Sequence, residues 1–94
     1  MSEKIQVLVV DDEAQIRRFL RISLEANGYV VHEAGNGQES VFAAAQARPD
    51  LVILDLGLPD MDGIEVVKGL REWTKTPIII RSVRDADLDK VAAL

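Results

Sequence analysis

Four short runs of mainly apolar residues recur along the chain, separated by segments whose apolar residues have helical spacing, and the second run is more polar than the others. The runs cover residues 5–10, 29–34, 51–54 and 78–80. Strands of this length that alternate with helices are typical of right-handed crossovers, which build a parallel sheet with helices on both faces. The alternation therefore predicts a single α/β domain over residues 1–94.

The segments between the runs carry signals for helix starts and ends. Gly28 follows an apolar stripe that begins near Ala14, at the position where a glycine commonly ends a helix. Asn36 and Glu39 have the spacing of an N-cap residue and its N3 partner, which predicts a second helix to about Ala47. The third helix is expected to turn three side chains toward the core: Ile64, Val67 and Leu70.

Composition excludes several classes of protein. The chain has no cysteine, which rules out a disulfide framework, a thiolate zinc site and cysteine catalysis. Its net charge of −5 argues against nucleic acid as a direct partner of this segment, because phosphate binding needs a basic face. The apolar runs are too short to span a membrane and no signal-peptide pattern precedes them, so a cytoplasmic location is expected.

Acidic side chains collect where the predicted strands end. Asp11 and Asp12 follow the first strand, Asp55 follows the third, and Ser82 lies beyond the fourth. In open α/β sheets the functional crevice lies at the carboxyl ends of the strands, so neighbouring first and third strands would bring three carboxylates together. The alternative is that these acids only cap the helices that follow, although Asp55 precedes a Gly/Pro turn and has no obvious helix to cap.

Three clustered carboxylates repel one another unless a cation compensates their charge. Mg²⁺ suits this role because it prefers oxygen ligands, takes few from protein and keeps sites for phosphate oxygens. A carboxylate beside Mg²⁺ can attack phosphorus and form an aspartyl phosphate, which makes Asp55 a candidate phosphoacceptor. Ser82 would then hydrogen-bond a phosphoryl oxygen.

The segments 9–13, 53–63 and 77–82 resemble the receiver domains of two-component response regulators, and the Asp-x-x-x-Pro-x-x-x-Gly element from Asp55 to Gly63 is specific. The resemblance covers the whole chain. It implies a flavodoxin-like (CheY-like) three-layer fold with strand order 2-1-3-4. A fifth strand and a last helix would be expected in the family and are missing from this chain.

The resemblance also implies roles for individual residues. Asp55 matches the phosphoacceptor, Asp12 a direct Mg²⁺ ligand, and Asp11 an acid that acts largely through water. The backbone carbonyl of Gly57 matches the third protein ligand of the metal, and Ser82 matches the hydroxyl that moves toward the phosphoryl group.

The same resemblance implies partners. The donor would be a sensor histidine kinase that contacts the first helix, which carries Arg17, Arg18 and Arg21. Activation would bring two copies together through the face that includes Asp89 and Lys90. The output would be control of transcription, with DNA bound only through a carboxy-terminal domain that is absent from this chain.

Three positions depart from the family pattern. Arg81 stands in the fourth strand where an apolar residue is usual, so its guanidinium must either snorkel to water or find an acid. Val83 replaces a small residue after the switch hydroxyl and is expected to restrict access to the acyl phosphate. Arg84 occupies a variable position beside the phosphoryl pocket and is expected to influence its lifetime.

Two other functions compete with a phosphorylation switch. A phosphohydrolase with an aspartyl-phosphate intermediate would need a second acid two residues after Asp55, where the chain has Gly57. A phosphorylation-independent interaction module would keep only the fold; the acids and the hydroxyl are all present, but the lysine that pairs with the acid site in the family has no match here, which leaves this alternative open. We therefore expect a switch rather than an enzyme.

Overall fold

The computed structural model describes residues 4–55, 58, 63–72 and 74–81. Strands and helices alternate along these residues, which confirms the predicted α/β class. None of the helices within those ranges is both long enough and apolar enough to cross a membrane. The elements are β1 (Gln6–Val10), α1 (Ala14–Ala26), β2 (Val30–Ala34), α2 (Gly37–Ala47), β3 (Leu51–Asp55), α3 (Gly63–Arg71) and β4 (Ile78–Arg81).

The four strands form one parallel sheet in the order β2-β1-β3-β4, which confirms the order that the family resemblance implied. β1 lies in the interior of the sheet, and its β-branched run suits a strand that is covered on both faces. At the carboxyl end of β1, Val10 is paired with Ala34 of β2 and with Leu54 of β3. This register brings the end of β3 beside the end of β1.

Side chains from alternate strand positions fill two separate layers of core. On one face, α2 and α3 cover the sheet, with Ala44, Val66 and Leu70 fully or almost fully buried. On the other face Val7 and Val9 are buried where α1 packs on β1 and β2. The strand residues in the first layer are Leu8, Val10, Ala34, Val52, Leu54 and Ile78.

The prediction for α3 holds at two of its three positions: Leu70 is completely buried and Val67 packs against the core, but Ile64 does not. Ile64, expected to face the core, is 62% exposed, whereas Val66 is completely buried. Val66 and Leu70, four residues apart, lie on one side of the helix and form its buried stripe, with Val67 beside them. Close packing of α3 on α2 accompanies this arrangement, since a Cβ on Gly69 would lie 3.1 Å from Val41 Cγ2.

The predicted start of α2 and end of α1 are confirmed. Asn36 Oδ1 accepts the backbone N–H of Glu39 at 2.8 Å, and Glu39 Oε1 accepts that of Gly35 at 2.8 Å. Gly28 follows the end of α1 with a φ of 90°, a left-handed conformation that favours glycine. The start of α2 and the end of α1 are therefore determined by residues that lie close to them in the sequence.

Candidate functional site

The carboxyl ends of β1 and β3 bring the three predicted acids together. Asp11 and Asp12 come directly after β1, and Asp55 is the last residue of β3. One carboxylate oxygen from each of the three lies within 4.8 Å of the others. We call these residues the acid cluster. Their convergence follows from the pairing of Val10 with Leu54, because the residues that follow this pair lie at the same edge of the sheet.

The three acids differ in exposure. Asp11 is only 3% exposed, Asp55 is half-buried, and Asp12 is exposed. Asp11 is held in place by its backbone N–H, which donates to the carbonyl of Ala34 at 3.1 Å, and by Oδ1, which accepts the N–H of Glu13 at 2.9 Å. The buried acid is thus fixed by the main chain, while Asp12 faces solvent.

Arg81 reaches the acid cluster from the far side of β3. Its Nη1 donates to Asp11 Oδ2 at 3.2 Å, although its backbone is paired with Asp55 in the register of β3 and β4. The guanidinium therefore spans one strand to reach a carboxylate of β1. Of the two possibilities that the sequence left open for this arginine, the structure shows the second: it finds an acid.

A second arginine supports the site from α1. Arg17 Nη1 donates to the backbone carbonyl of Asp11 at 2.7 Å, and its Nε donates to Glu33 Oε1 at 3.0 Å. Arg21 Nη1 donates to the other oxygen of Glu33 at 2.8 Å. Arg17 and Arg21 thus tie α1 to β2, a role that the sequence analysis missed, while Arg18 is exposed on the same helix.

These contacts shift the pKa values of Glu33 and Arg21. The pKa of Glu33 lies below its ordinary value, mainly because Arg21 donates a hydrogen bond to it, with a smaller contribution from Arg17. The pKa of Arg21 is raised by the same hydrogen bond and by the charges of Glu25 and Glu33. Both shifts favour the charged forms, so this ion-paired group is built to stay ionised at neutral pH.

Replacing Glu33 with Gln is expected to lower the free energy of unfolding by less than about 1 kcal/mol at pH 7, since ion pairs in partial contact with water contribute little. The pKa of Glu33 is lowered in the folded state, so its contribution is complete above the unfolded pKa of about 4.3 and is lost as pH falls through the folded value.

Urea denaturation at pH 7 and pH 3 measures this effect. The difference between wild type and Glu33→Gln should shrink at the lower pH. Glu72→Gln, at an exposed position just after α3, is the matched control and should show a small difference at both pH values. A loss of stability in Glu33→Gln that is the same at pH 3 and pH 7 would contradict the ion pairing of Glu33 with Arg17 and Arg21.

Several predicted site residues lie outside the described residues. These are Gly57, Ser82, Val83, Arg84, Asp89 and Lys90. Their assigned roles, and the contact of Arg17, Arg18 and Arg21 with a kinase, stay predictions.

The donor set of the acid cluster fits Mg²⁺. All three side chains offer carboxylate oxygens, which are hard ligands of the kind that Mg²⁺ prefers. Asp12 is exposed to solvent, and Mg²⁺ held by a few carboxylates keeps waters and phosphate oxygens among its ligands. The site is thus a cluster of carboxylates at the carboxyl edge of a parallel α/β sheet, the edge at which domains of this class bind their ligands.

Comparison with known proteins agrees with this class. Residues 7–94 match the sequence profile of the response regulator receiver domain, and the chain belongs to this family. Among curated proteins it is similar to the transcriptional regulatory protein KdpE, with 53% identity over 88 residues to the Escherichia coli K12 protein and 56% over 88 residues to that of Mycobacterium tuberculosis. The predicted family is confirmed.

The match covers 94% of this chain and 39% of each KdpE protein, so the chain spans less than half the length of these curated relatives. Solved structures show the same fold. Chemotaxis protein CheY4 of Vibrio cholerae superposes with a TM-score of 0.79 at 37% identity, covering 83% of this chain and 68% of that one. A CheY-like receiver domain from Methanospirillum hungatei gives 0.80 at 27% identity, covering 85% and 65%.

Proposed function

We propose that this chain is a phosphorylation-driven switch in which Asp55 accepts a phosphoryl group in the presence of Mg²⁺. The observation that supports this most directly is the acid cluster, with one carboxylate oxygen of Asp11, Asp12 and Asp55 within 4.8 Å of each other at the sheet edge. Membership of the receiver family supports the same chemistry.

In the proposed reaction, a carboxylate oxygen of Asp55 forms a new O–P bond to the phosphoryl group of a phosphohistidine on a sensor kinase. The N–P bond of the donor breaks, and its electron pair returns to the imidazole nitrogen, which takes up a proton from water. Bound Mg²⁺ supplies positive charge that offsets the carboxylates and the transferring phosphoryl oxygens.

The role proposed for each residue of the site follows from its exposure to solvent. Asp12, exposed beside Asp55, is the proposed direct ligand of the metal, together with Asp55 and the backbone carbonyl of Gly57. Asp11, buried and fixed by the N–H of Glu13, is proposed to act on the metal through water. Ser82 is proposed to hydrogen-bond the phosphoryl group once it is attached.

The proposed output is control of transcription. The new negative charge on Asp55 would draw Ser82 inward and change the surface that carries Asp89 and Lys90, through which two copies would dimerise. DNA would be bound by a separate domain of the whole protein, as the regulatory role named for the KdpE relatives suggests. The sensor kinase that donates the phosphoryl group is proposed to contact α1 through Arg17, Arg18 and Arg21. The proposed location of the protein is the cytoplasm.

Incubation with acetyl phosphate and Mg²⁺, followed by intact mass measurement, tests the proposal. We expect an adduct of one phosphoryl group that hydroxylamine removes, as it does acyl phosphates, and that EDTA prevents from forming. A protein that stays unmodified at saturating acetyl phosphate and Mg²⁺ would contradict it. Sustained phosphate release from phosphoesters would instead indicate a phosphohydrolase.

A further inference from the structure

The ion pair between Arg81 and Asp11 joins the acid cluster to the last described strand. The Asp11 side chain is 4% exposed and that of Arg81 is 27% exposed, with Nη1 and Oδ2 separated by 3.2 Å. The other oxygen of Asp11 accepts the N–H of Glu13, so both carboxylate oxygens have a donor. The remaining charged groups of the cluster are Asp12 and Asp55, both negative.

A buried carboxylate is costly unless an opposite charge compensates it. Arg81 provides that compensation from within the chain, at the acid cluster where a divalent cation would provide it from solution. A guanidinium and a divalent cation that both lie at this cluster repel one another, and the repulsion is strong at distances of a few ångströms in a partly buried site. Arg81 and a metal ion therefore oppose each other at this site.

The geometry allows the side chain of Arg81 to move away from Asp11 when a metal ion binds. Its backbone is held in β4 opposite Asp55, but its side chain is long and already in partial contact with water. The guanidinium can therefore leave Asp11 for solvent without moving the strand, whereas Asp11 is fixed at both its N–H and Oδ1.

We propose that Arg81 is a built-in counterion of the acid cluster that competes with Mg²⁺ to compensate the negative charge of Asp11, and thereby raises the Mg²⁺ concentration needed to load the site. The inference rests on the proposed Mg²⁺ site. Arg81 sets the affinity of the acid cluster for Mg²⁺ and is not itself a ligand of the metal. In the unloaded protein it stabilises the buried acid, and in the loaded protein it is displaced.

Isothermal titration of the purified protein with MgCl₂ measures the competition. Arg81→Gln is expected to bind Mg²⁺ about tenfold more tightly than wild type, because one nearby positive charge is removed. Lys75→Gln is the matched control: it removes the same charge from an exposed position just before β4, at the opposite end of the sheet, and should bind Mg²⁺ as wild type does. Equal or weaker Mg²⁺ binding by Arg81→Gln would overturn the proposal.

Thermal melting in EDTA and in saturating MgCl₂ distinguishes competition from a purely structural role. In EDTA, Arg81→Gln should melt below wild type, because the buried side chain of Asp11 loses its ion-pair partner. In saturating MgCl₂ the two proteins should melt at nearly the same temperature, because the metal stabilises the variant more than it does wild type. A deficit of the same size in both buffers would show a structural role alone and would overturn the proposal.

A measurement on the wild-type protein covers the case in which Arg81→Gln does not fold. The Nε–Hε resonance of Arg81 should shift in an NMR titration with MgCl₂, saturating together with the backbone resonances of Asp12. Saturable Mg²⁺ binding that leaves the Arg81 resonance unchanged would overturn the proposal. If wild type binds no Mg²⁺, the proposed function fails as well. If wild type binds Mg²⁺ and is phosphorylated but the Arg81 readouts do not change, this inference alone fails.

Discussion

Asp55→Asn is expected to abolish uptake of a phosphoryl group from acetyl phosphate, whereas wild type takes up one. The amide that replaces the carboxylate is nearly the same size but supplies no nucleophilic oxygen for the O–P bond. Asp55 is the last residue of β3 and half-buried at the sheet edge, where no other side chain of that strand is placed to substitute for it. Intact mass measurement after incubation with Mg²⁺ and acetyl phosphate gives the result directly.

Asp50→Asn is the matched control for this prediction. Asp50 immediately precedes β3, so the same chemical change is made at the two ends of one strand. Its Oδ2 accepts the N–H of Gln6 at 2.8 Å, and the side-chain oxygen of an asparagine can still accept this bond. The control should take up phosphate like wild type. An adduct that persists in Asp55→Asn, or one that disappears equally in both variants, would contradict the assignment of Asp55.

The acid cluster could be predicted from the sequence because each part of it depends on local signals. The apolar run 51–54 ends on Asp55 and the run 5–10 ends on Asp11, so the strand ends are visible without the structure. Parallel strands share one functional edge, and the contact needed only that β1 and β3 be neighbours. The N-cap formed by Asn36 is similarly local, since its partner lies three residues away.

The contacts of the arginines could not be predicted in the same way. Arg81 and Asp11 are 70 residues apart, and their contact depends on the order and register of three strands together with the length of one side chain. The sequence therefore left two environments open for Arg81. For Arg17 and Arg21 the helical pattern indicates only an exposed, charged face, and Glu33 becomes their partner because β2 lies beside β1.

The exposure of Ile64 could not be predicted for a different reason. Residues spaced by three and by four both fit a helix of 3.6 residues per turn, so either Ile64 or Val66 could share a buried stripe with Leu70. The structure buries Val66 and leaves Ile64 exposed, while the predicted Val67 and Leu70 do contact the core. A periodic signal this short does not determine which residue at the start of the helix is buried.

Leu70→Ala is expected to lower the free energy of unfolding by about 3 kcal/mol, a large fraction of the stability of a small domain. Leu70 is completely buried in the layer of core between α3 and the sheet, and its truncation leaves a cavity that surrounding side chains fill incompletely. Urea denaturation should show a lower midpoint with an unchanged slope, since the surface exposed on unfolding stays nearly the same.

Ile64→Ala provides the matched comparison on the same helix. Leucine and isoleucine have the same number of carbon atoms, so both changes remove the same amount of side chain, but Ile64 is 62% exposed and Leu70 is not exposed at all. Alanine also has a higher helix propensity than isoleucine, so the change at Ile64 is expected to alter stability by less than about 0.5 kcal/mol. Equal losses at the two positions would mean that Ile64 faces the core together with Leu70, as the sequence pattern predicted, and would contradict the exposure described for Ile64.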